Sequence, residues 1–202
     1  MLILSLSEEE KAGLGVALNE ATLVGIEIDE ASHSAALTLA VLTLDKKGRS
    51  PKDPRIQIVL RNVGRAAASL RLGRWDDKAA PVVEFPPADL MERVLEFGGL
   101  PIYGWEFFDV HERELEKWGD RTSFDVTLSP DGGRRHSLRV FQEGDEKHLD
   151  VCVWFDSMLF RNAALQELSL DTVIAGGRRW WDALHNDPNH GRAHGIFPLA
   201  DD

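Results

Sequence analysis

The sequence predicts an α+β fold: mainly antiparallel sheet built from hairpins and a three-stranded meander, with about three helices. Three observations lead there. Apolar residues recur with period two in roughly seven or eight short runs, the mark of half-buried strands. The runs follow one another in two groups, without the regular alternation with helices that builds a parallel sheet. The chain of 202 residues is 43% hydrophobic and 28% charged, a globular composition rather than a disordered one. Folding a chain of this size hides roughly 70% of its unfolded surface, enough for a core without disulfide or metal. A single domain is expected over residues 1–185, with a flexible tail over 186–202.

The elements follow in order. Ser5 and Ser7 stand three residues ahead of Glu8 and Glu10, a capping-box pattern that predicts a helix from Ser7 to Leu18, weakened by Gly13 and Gly15. Val24, Ile26 and Ile28 alternate with Gly25, Glu27 and Asp29 and predict a half-buried strand. Ala35 to Leu44 is apolar on both faces, which predicts a central strand covered on both sides. Asp45 to Pro54 holds the turn residues of a loop. Ile56, Ile58 and Leu60 alternate with Arg55, Gln57 and Arg61, and Ala66, Ala68, Leu70 and Leu72 with Arg65, Ser69 and Arg71. These two strands are expected to form a hairpin around Asn62 to Gly64. An extended connector over Pro81 to Pro87 leads to a helix from Pro87 to Phe97, with Asp89 in its first turn and Gly98-Gly99 past its end. Ile102 to Phe108 predicts an aromatic-rich strand; His111 to Trp118 is too short and too charged to assign.

Thr122 to Leu128, Arg135 to Gln142 and His148 to Phe155 flank turn-rich segments and predict the meander. A register with Val126 beside Leu138 and Leu138 beside Val151 puts Phe124, Val126, Leu128, Val140, Leu149 and Val153 on one apolar face. It also aligns Asp125, Arg139 and Asp150 on the other face as a stabilising charge ladder. Asp171 is placed to cap a last helix to Leu184, whose Gly176-Gly177 weakens it or allows close approach to the sheet.

Composition narrows function. A net charge of −11 opposes binding to nucleic acid or anionic membranes and suits a basic protein partner. A lone cysteine, Cys152, excludes an internal disulfide and a multi-cysteine zinc site, and in an alternating strand it reads as an inert thiol. No apolar run reaches the ~18 residues of a membrane span, and the start lacks the basic flank and length of a secretory signal. The expected location is the cytoplasm. The sequence has no Gly-x-Ser-x-Gly elbow and no Gly-Lys-Ser/Thr phosphate loop.

Four constellations carry possible chemistry. Asp109, His111, Glu112 and Glu114 follow Tyr103-Gly-Trp105-Glu-Phe-Phe; they match no metal motif, and a solvated charged turn is the preferred reading. His185, His190 and His194 match no defined metal set either, and a lightly docked tail is preferred. Arg55, Arg61, Arg65, Arg71 and Arg74 form a row on the polar side of the first hairpin. Such a row suits an acidic ligand, but pairing within the chain, with Glu27 and Asp29 at hand, is preferred. The six tryptophans, Trp75, Trp105, Trp154, Trp180 and Trp181 among them, read as core or half-core, with interface anchoring the second reading.

Leu18-Asn-Glu-Ala-Thr-Leu-Val-Gly-Ile-Glu-Ile-Asp, then Ala-Leu-Thr-Leu-Ala-Val-Leu and Ile-Gln-Ile-Val-Leu-Arg-Asn-Val, resembles the openings of small β-rich bacterial proteins, some of them similar to toxin-immunity proteins. The resemblance covers residues 18–72 and implies a partner-binding role without catalysis. The expected function is therefore a non-enzymatic, cytoplasmic protein-binding module without cofactor or metal, able to self-associate. Its binding residues would come from Arg61, Arg65, Arg71, Trp75, Tyr103, Trp105, Asp109 and His111. The alternative is an enzyme or small-molecule binder with a cleft near Tyr103–Glu114.

Overall fold

The computed structural model describes residues 2–103, 107–109, 118–119 and 121–187. They form α1 (Glu8–Leu18), β1 (Thr22–Asp29), β2 (Ser34–Ala40), β3 (Arg55–Arg61), β4 (Arg65–Leu72), a 3-10 turn (Pro87–Asp89), α2 (Leu90–Leu95) and β5 (Ile102–Tyr103). There follow β6 (Phe124–Thr127), β7 (His136–Glu143), β8 (Lys147–Phe155), β9 (Ser157–Asn162), β10 (Glu167–Leu168) and α3 (Leu170–Asn186). Two five-stranded antiparallel sheets result, ordered β1-β2-β3-β9-β10 and β5-β7-β8-β4-β6, so the α+β expectation holds. No helix among the described residues is long and apolar enough to cross a membrane.

The capping box of α1 closes on Ser7: Glu10 N–H donates to Ser7 Oγ at 3.2 Å, and Ser7 N–H to Glu10 Oε2 at 2.7 Å. Ser169, not Asp171, caps α3 by accepting from Thr172 N–H at 3.2 Å, leaving Asp171 in the first turn. β2 is central, as expected, but only Ala35, Leu37 and Leu39 are buried; its alternate residues are small and half-buried, which the apolar reading took for a second covered face. The aromatic strand is reduced to Ile102–Tyr103, with Phe108 bridging to Leu138.

The expected hairpin of β3 and β4 does not form. β3 pairs with β2 and β9, whereas β4 pairs with β8 and β6 in the other sheet. Asn62-Val63-Gly64 is a corner that carries the chain from sheet to sheet, and Asp156 is the return corner between β8 and β9. The corners are stitched together: Val63 N–H donates to His33 O at 2.8 Å, Gly64 N–H to Trp154 O at 3.0 Å and Asp156 N–H to Arg61 O at 3.2 Å. The Asn62 amide donates to the Asp156 carboxylate, which also accepts from Arg134 N–H at 2.9 Å. Asn62 takes a left-handed φ of 52°, a conformation that asparagine tolerates.

Nor do β6, β7 and β8 form a meander, because β6 pairs with β4. The turn after β6 folds over the corner instead, with Leu128 N–H and Ser129 N–H both donating to Gly64 O. A Cβ on Gly64 would lie 2.0 Å from Gly132 O, so only glycine fits there. β7 and β8 do pair, but Leu138 faces Val153 rather than Val151, because the turn between them sets Glu143 opposite His148. A slip of two residues preserves which side chains face the core. Phe124, Val140, Leu149 and Val153 duly join residues of both sheets, α1, α2 and α3 in one hydrophobic cluster.

Candidate functional site

The second sheet has a buried polar layer on the face away from that core. Along β8, His148, Asp150, Cys152 and Trp154 alternate with core residues, and along β4 so do Ala67, Ser69 and Arg71. Trp118 packs on Ala67 and Cys152, and the Arg121 carbonyl accepts from Ser69 Oγ at 2.6 Å, so the layer is covered. Asp150, 1% exposed, holds two guanidinium groups: Arg71 Nη2 at 2.6 Å on one oxygen and Arg139 Nη2 at 2.7 Å on the other. The expected Arg139–Asp150 contact therefore exists, although along a diagonal. Asp125 instead takes Arg65, at 2.7 and 2.5 Å, and the Arg65 guanidinium lies 4.6 Å from the centre of the Trp154 ring.

His148 is fully buried. Its Nδ1–H donates to Gly73 O at 2.8 Å, which leaves Nε2 a bare lone pair. Burial, aided by the nearby Arg71 charge against the opposing pull of the Gly73 bond, pushes the ring's proton affinity below the usual histidine value. Burial also drives the Cys152 thiol up to about 12, far from a nucleophile. Arg71 Nε and His148 Nε2 have no hydrogen-bond partner among the described residues. Breaking a buried pair such as Arg71–Asp150 strands a charge and costs about 3–5 kcal/mol, so the layer's first role is structural.

The sequence-predicted residues scatter. The arginine row splits between sheets: Arg55 and Arg61 lie on β3, Arg65 and Arg71 on β4, and Arg74 beyond it. Pairing within the chain dominates, with Asp53, Asp125, Asp150 and Asp76 as partners of Arg55, Arg65, Arg71 and Arg74; Glu27 and Asp29 serve none of these. Asp29 instead accepts from Ala31 N–H, Ser32 N–H and Ser32 Oγ in the β1–β2 turn. Arg71 is thus buried rather than presented, and Arg61 is exposed at the end of β3. Trp180 is buried, Trp181 and Trp154 are half-buried, and Trp75 is 59% exposed. Trp105, His111, Glu112, Glu114, His190 and His194 lie outside the described residues, as does the tail from residue 188.

Asp109 is a strut. Its carboxylate accepts from Lys11 Nζ at 2.9 Å, Ser137 N–H at 3.1 Å and His136 Nδ1 at 3.2 Å, while His136 Nε2 reaches Leu4 O. Burial pushes this carboxyl up, but the bonds from Lys11, His136 and Ser137 outweigh it and hold the group below the ordinary aspartate value. A carboxylate committed to three donors is poorly placed for acid-base work. Among the described residues no group of three or more His, Cys, Asp and Glu is placed to hold a metal ion.

What remains open to a partner is a rim around Tyr103. β5 is an edge strand, and Tyr103 stands 40% exposed three residues after Leu100, which is 42% exposed in the turn that follows α2; Leu95, at the end of α2, is 61% exposed. The turn is fixed by left-handed Gly98 and Gly99, and Ile102 N–H donates to Ala21 O at 2.7 Å. That bond brings Glu20 to the rim, and the end of β7 brings Glu143. Burial raises the Tyr103 hydroxyl above the usual phenol value, and the charges of Glu20 and Glu143 add to it; burial alone raises Glu20. Neither carboxylate has a hydrogen bond or ion pair among the described residues. An exposed ring beside two carboxylates, with exposed leucines close by in the chain, can take an apolar side chain and a cation together. Sequence reasoning found Tyr103 but missed Leu95, Leu100, Glu20 and Glu143; the one signal was a leucine within the glycine turn. No protein-family model, curated protein or solved structure matches this chain, so its site is read from its own geometry.

Proposed function

We propose that the protein is a non-enzymatic, cytoplasmic protein-binding module whose partner is basic, in the manner of an immunity-type protein neutralising a toxin. The observation that carries this reading is the rim: Tyr103 exposed next to Glu20 and Glu143, with Leu95 and Leu100 exposed in the segment before it, on a chain of net charge −11. Interface anchors are typically aromatic residues in an apolar setting, and complementary charge steers the encounter. The arginine row offers less, since Arg55, Arg65, Arg71 and Arg74 already have carboxylate partners.

The test begins with capture of the partner from host lysate on the immobilised chain, then titration of that purified partner against variants. Tyr103→Ala and Leu100→Ser are expected to weaken binding about tenfold or more while leaving Tm unchanged, as hot-spot truncations do. Leu165→Ala, exposed between β9 and β10 on the opposite edge of the first sheet from β1, should bind like the wild type. Retention of full affinity by both rim variants would overturn the assignment of this surface.

A further inference from the structure

Between the first half of α3 and the chain from Val41 to Ile56 lies a cavity of about 510 Å³, partly open to solvent. Small-molecule sites fall in this size range. Its floor is apolar, made by Ala17, Val41, Leu44, Ile56, Leu168 and Val173. Backbone contacts hold its walls. Leu44 N–H donates to Gly176 O at 3.1 Å, and the Leu44 carbonyl accepts Arg179 Nε and Nη2 at 3.0 and 2.8 Å. A Cβ on Gly176 would lie 2.3 Å from Thr43 Oγ1, so the glycine lets α3 close on the strand extension beside the cavity.

Charge at the mouth sorts by pairing. Asp53 holds Arg55 at 2.6 Å and Asp45 holds Arg49 at 3.0 Å, so these four cancel. Asp171 sits in the first turn of α3, where the helix dipole offsets it. Arg179 bonds a carbonyl rather than a carboxylate, and Lys46 has no hydrogen bond or ion pair among the described residues. With those pairs set aside, Lys46 and Arg179 outnumber Asp171, so the mouth carries a surplus of positive charge above an apolar floor. Of the five N–H donors of Arg179, the Leu44 carbonyl occupies two, which leaves the Nη1 edge for an anion.

We infer that this cavity binds a free, single-chain amphipathic carboxylate, with its hydrocarbon on the apolar floor and its carboxylate between Arg179 and Lys46. The cavity does not adjoin the Tyr103 rim in the lining residues, so the site stands apart from the partner surface.

Sodium decanoate, 1-decanol and decyltrimethylammonium titrated into the 15N-labelled full chain separate the contributions. Decanoate is expected to shift amides of residues 41–56 and 168–179 and to bind about tenfold tighter than decanol, the worth of a charge-assisted contact. The ammonium should bind least. Lys46→Met, at an exposed and uncommitted position, and Arg179→Met should each narrow the gap between decanoate and decanol. Because Arg179 also anchors Leu44, Ala175→Leu serves as an independent variant that fills the cavity and should abolish binding of all three probes without lowering Tm. Equal affinity for decanoate and decanol, shifts confined to other regions, or sedimentation with phosphatidylglycerol vesicles without binding of free decanoate would each overturn the inference.

Discussion

His148 ties the chemistry of one ring to the stability of the chain. In the unfolded state it gains a proton as pH falls through about 6.5. In the folded state burial, with Arg71 adding to it, holds the ring neutral to lower pH. The unfolded chain thus binds more protons over that window, and stability declines as pH falls from 7 towards 5, by at most about 1.4 kcal/mol per unit. His148→Phe keeps the ring's bulk but loses the bond to Gly73 O, at a cost of about 1 kcal/mol at pH 7. It should also flatten the decline, as urea titrations at pH 5, 6 and 7 would reveal; an unchanged slope would assign the dependence elsewhere. Asp109 acts in a separate window. Its folded carboxyl is held low, so its contribution is complete above about pH 4 and is lost only as pH falls through the depressed value.

At the scale of elements, the helices meet through glycine. A Cβ on Gly177 would stand 2.4 Å from Ala17 Cα, a backbone atom that cannot step aside, whereas one on Gly13 meets first a side-chain methyl, Ile174 Cγ2, at 2.8 Å. Glycine to alanine in a helix ordinarily gains up to about 1 kcal/mol. Overpacking costs about 1–3 kcal/mol, so Gly177→Ala should lower Tm while Gly13→Ala leaves it nearly unchanged. Equal thermal shifts in the two variants would disprove this account of the α1–α3 contact. Elements of this kind were legible where local chemistry decides them. Ser7 and Glu10 announce α1, and the alternation of Ile56, Ile58 and Leu60 announces β3. Pairing was not legible, because β3 and β4 look like a hairpin until the corner at Asn62 is seen to bond Asp156, 94 residues away. β9 gave no signal either: Ser157-Met-Leu-Phe160 is buried at consecutive positions, which hides the period of two. The rim stayed half-hidden for a similar reason, since Glu20 and Glu143 join Tyr103 only through pairings distant in the chain.

For the molecule as a whole, the two sheets share one hydrophobic cluster, and Cys152, in the separate layer under Trp118 on the other face of the second sheet, reports on that sheet. With 1% exposure and a thiol pushed to about 12 by burial, Cys152 should react with iodoacetamide only when the second sheet opens. Its labelling across a urea titration should follow the tryptophan fluorescence transition, and labelling well before that transition would mean that the cover over this layer, or the second sheet itself, opens ahead of the rest. The stitched corners carry a further consequence. The chain leaves the first sheet at Arg61 and returns beside it at Ser157, so β4 to β8 are nested inside the first sheet as a bracketed clause. Hosting a long insert is inexpensive, since each doubling of a closed loop adds only about 0.6 kcal/mol. Closing β9 onto β3 over an already folded insert spans a shorter effective loop, so assembly from the inside outward is the expected order. A nascent chain that has emerged only as far as Phe155 already holds every strand of the second sheet, while the first still lacks β9 and β10.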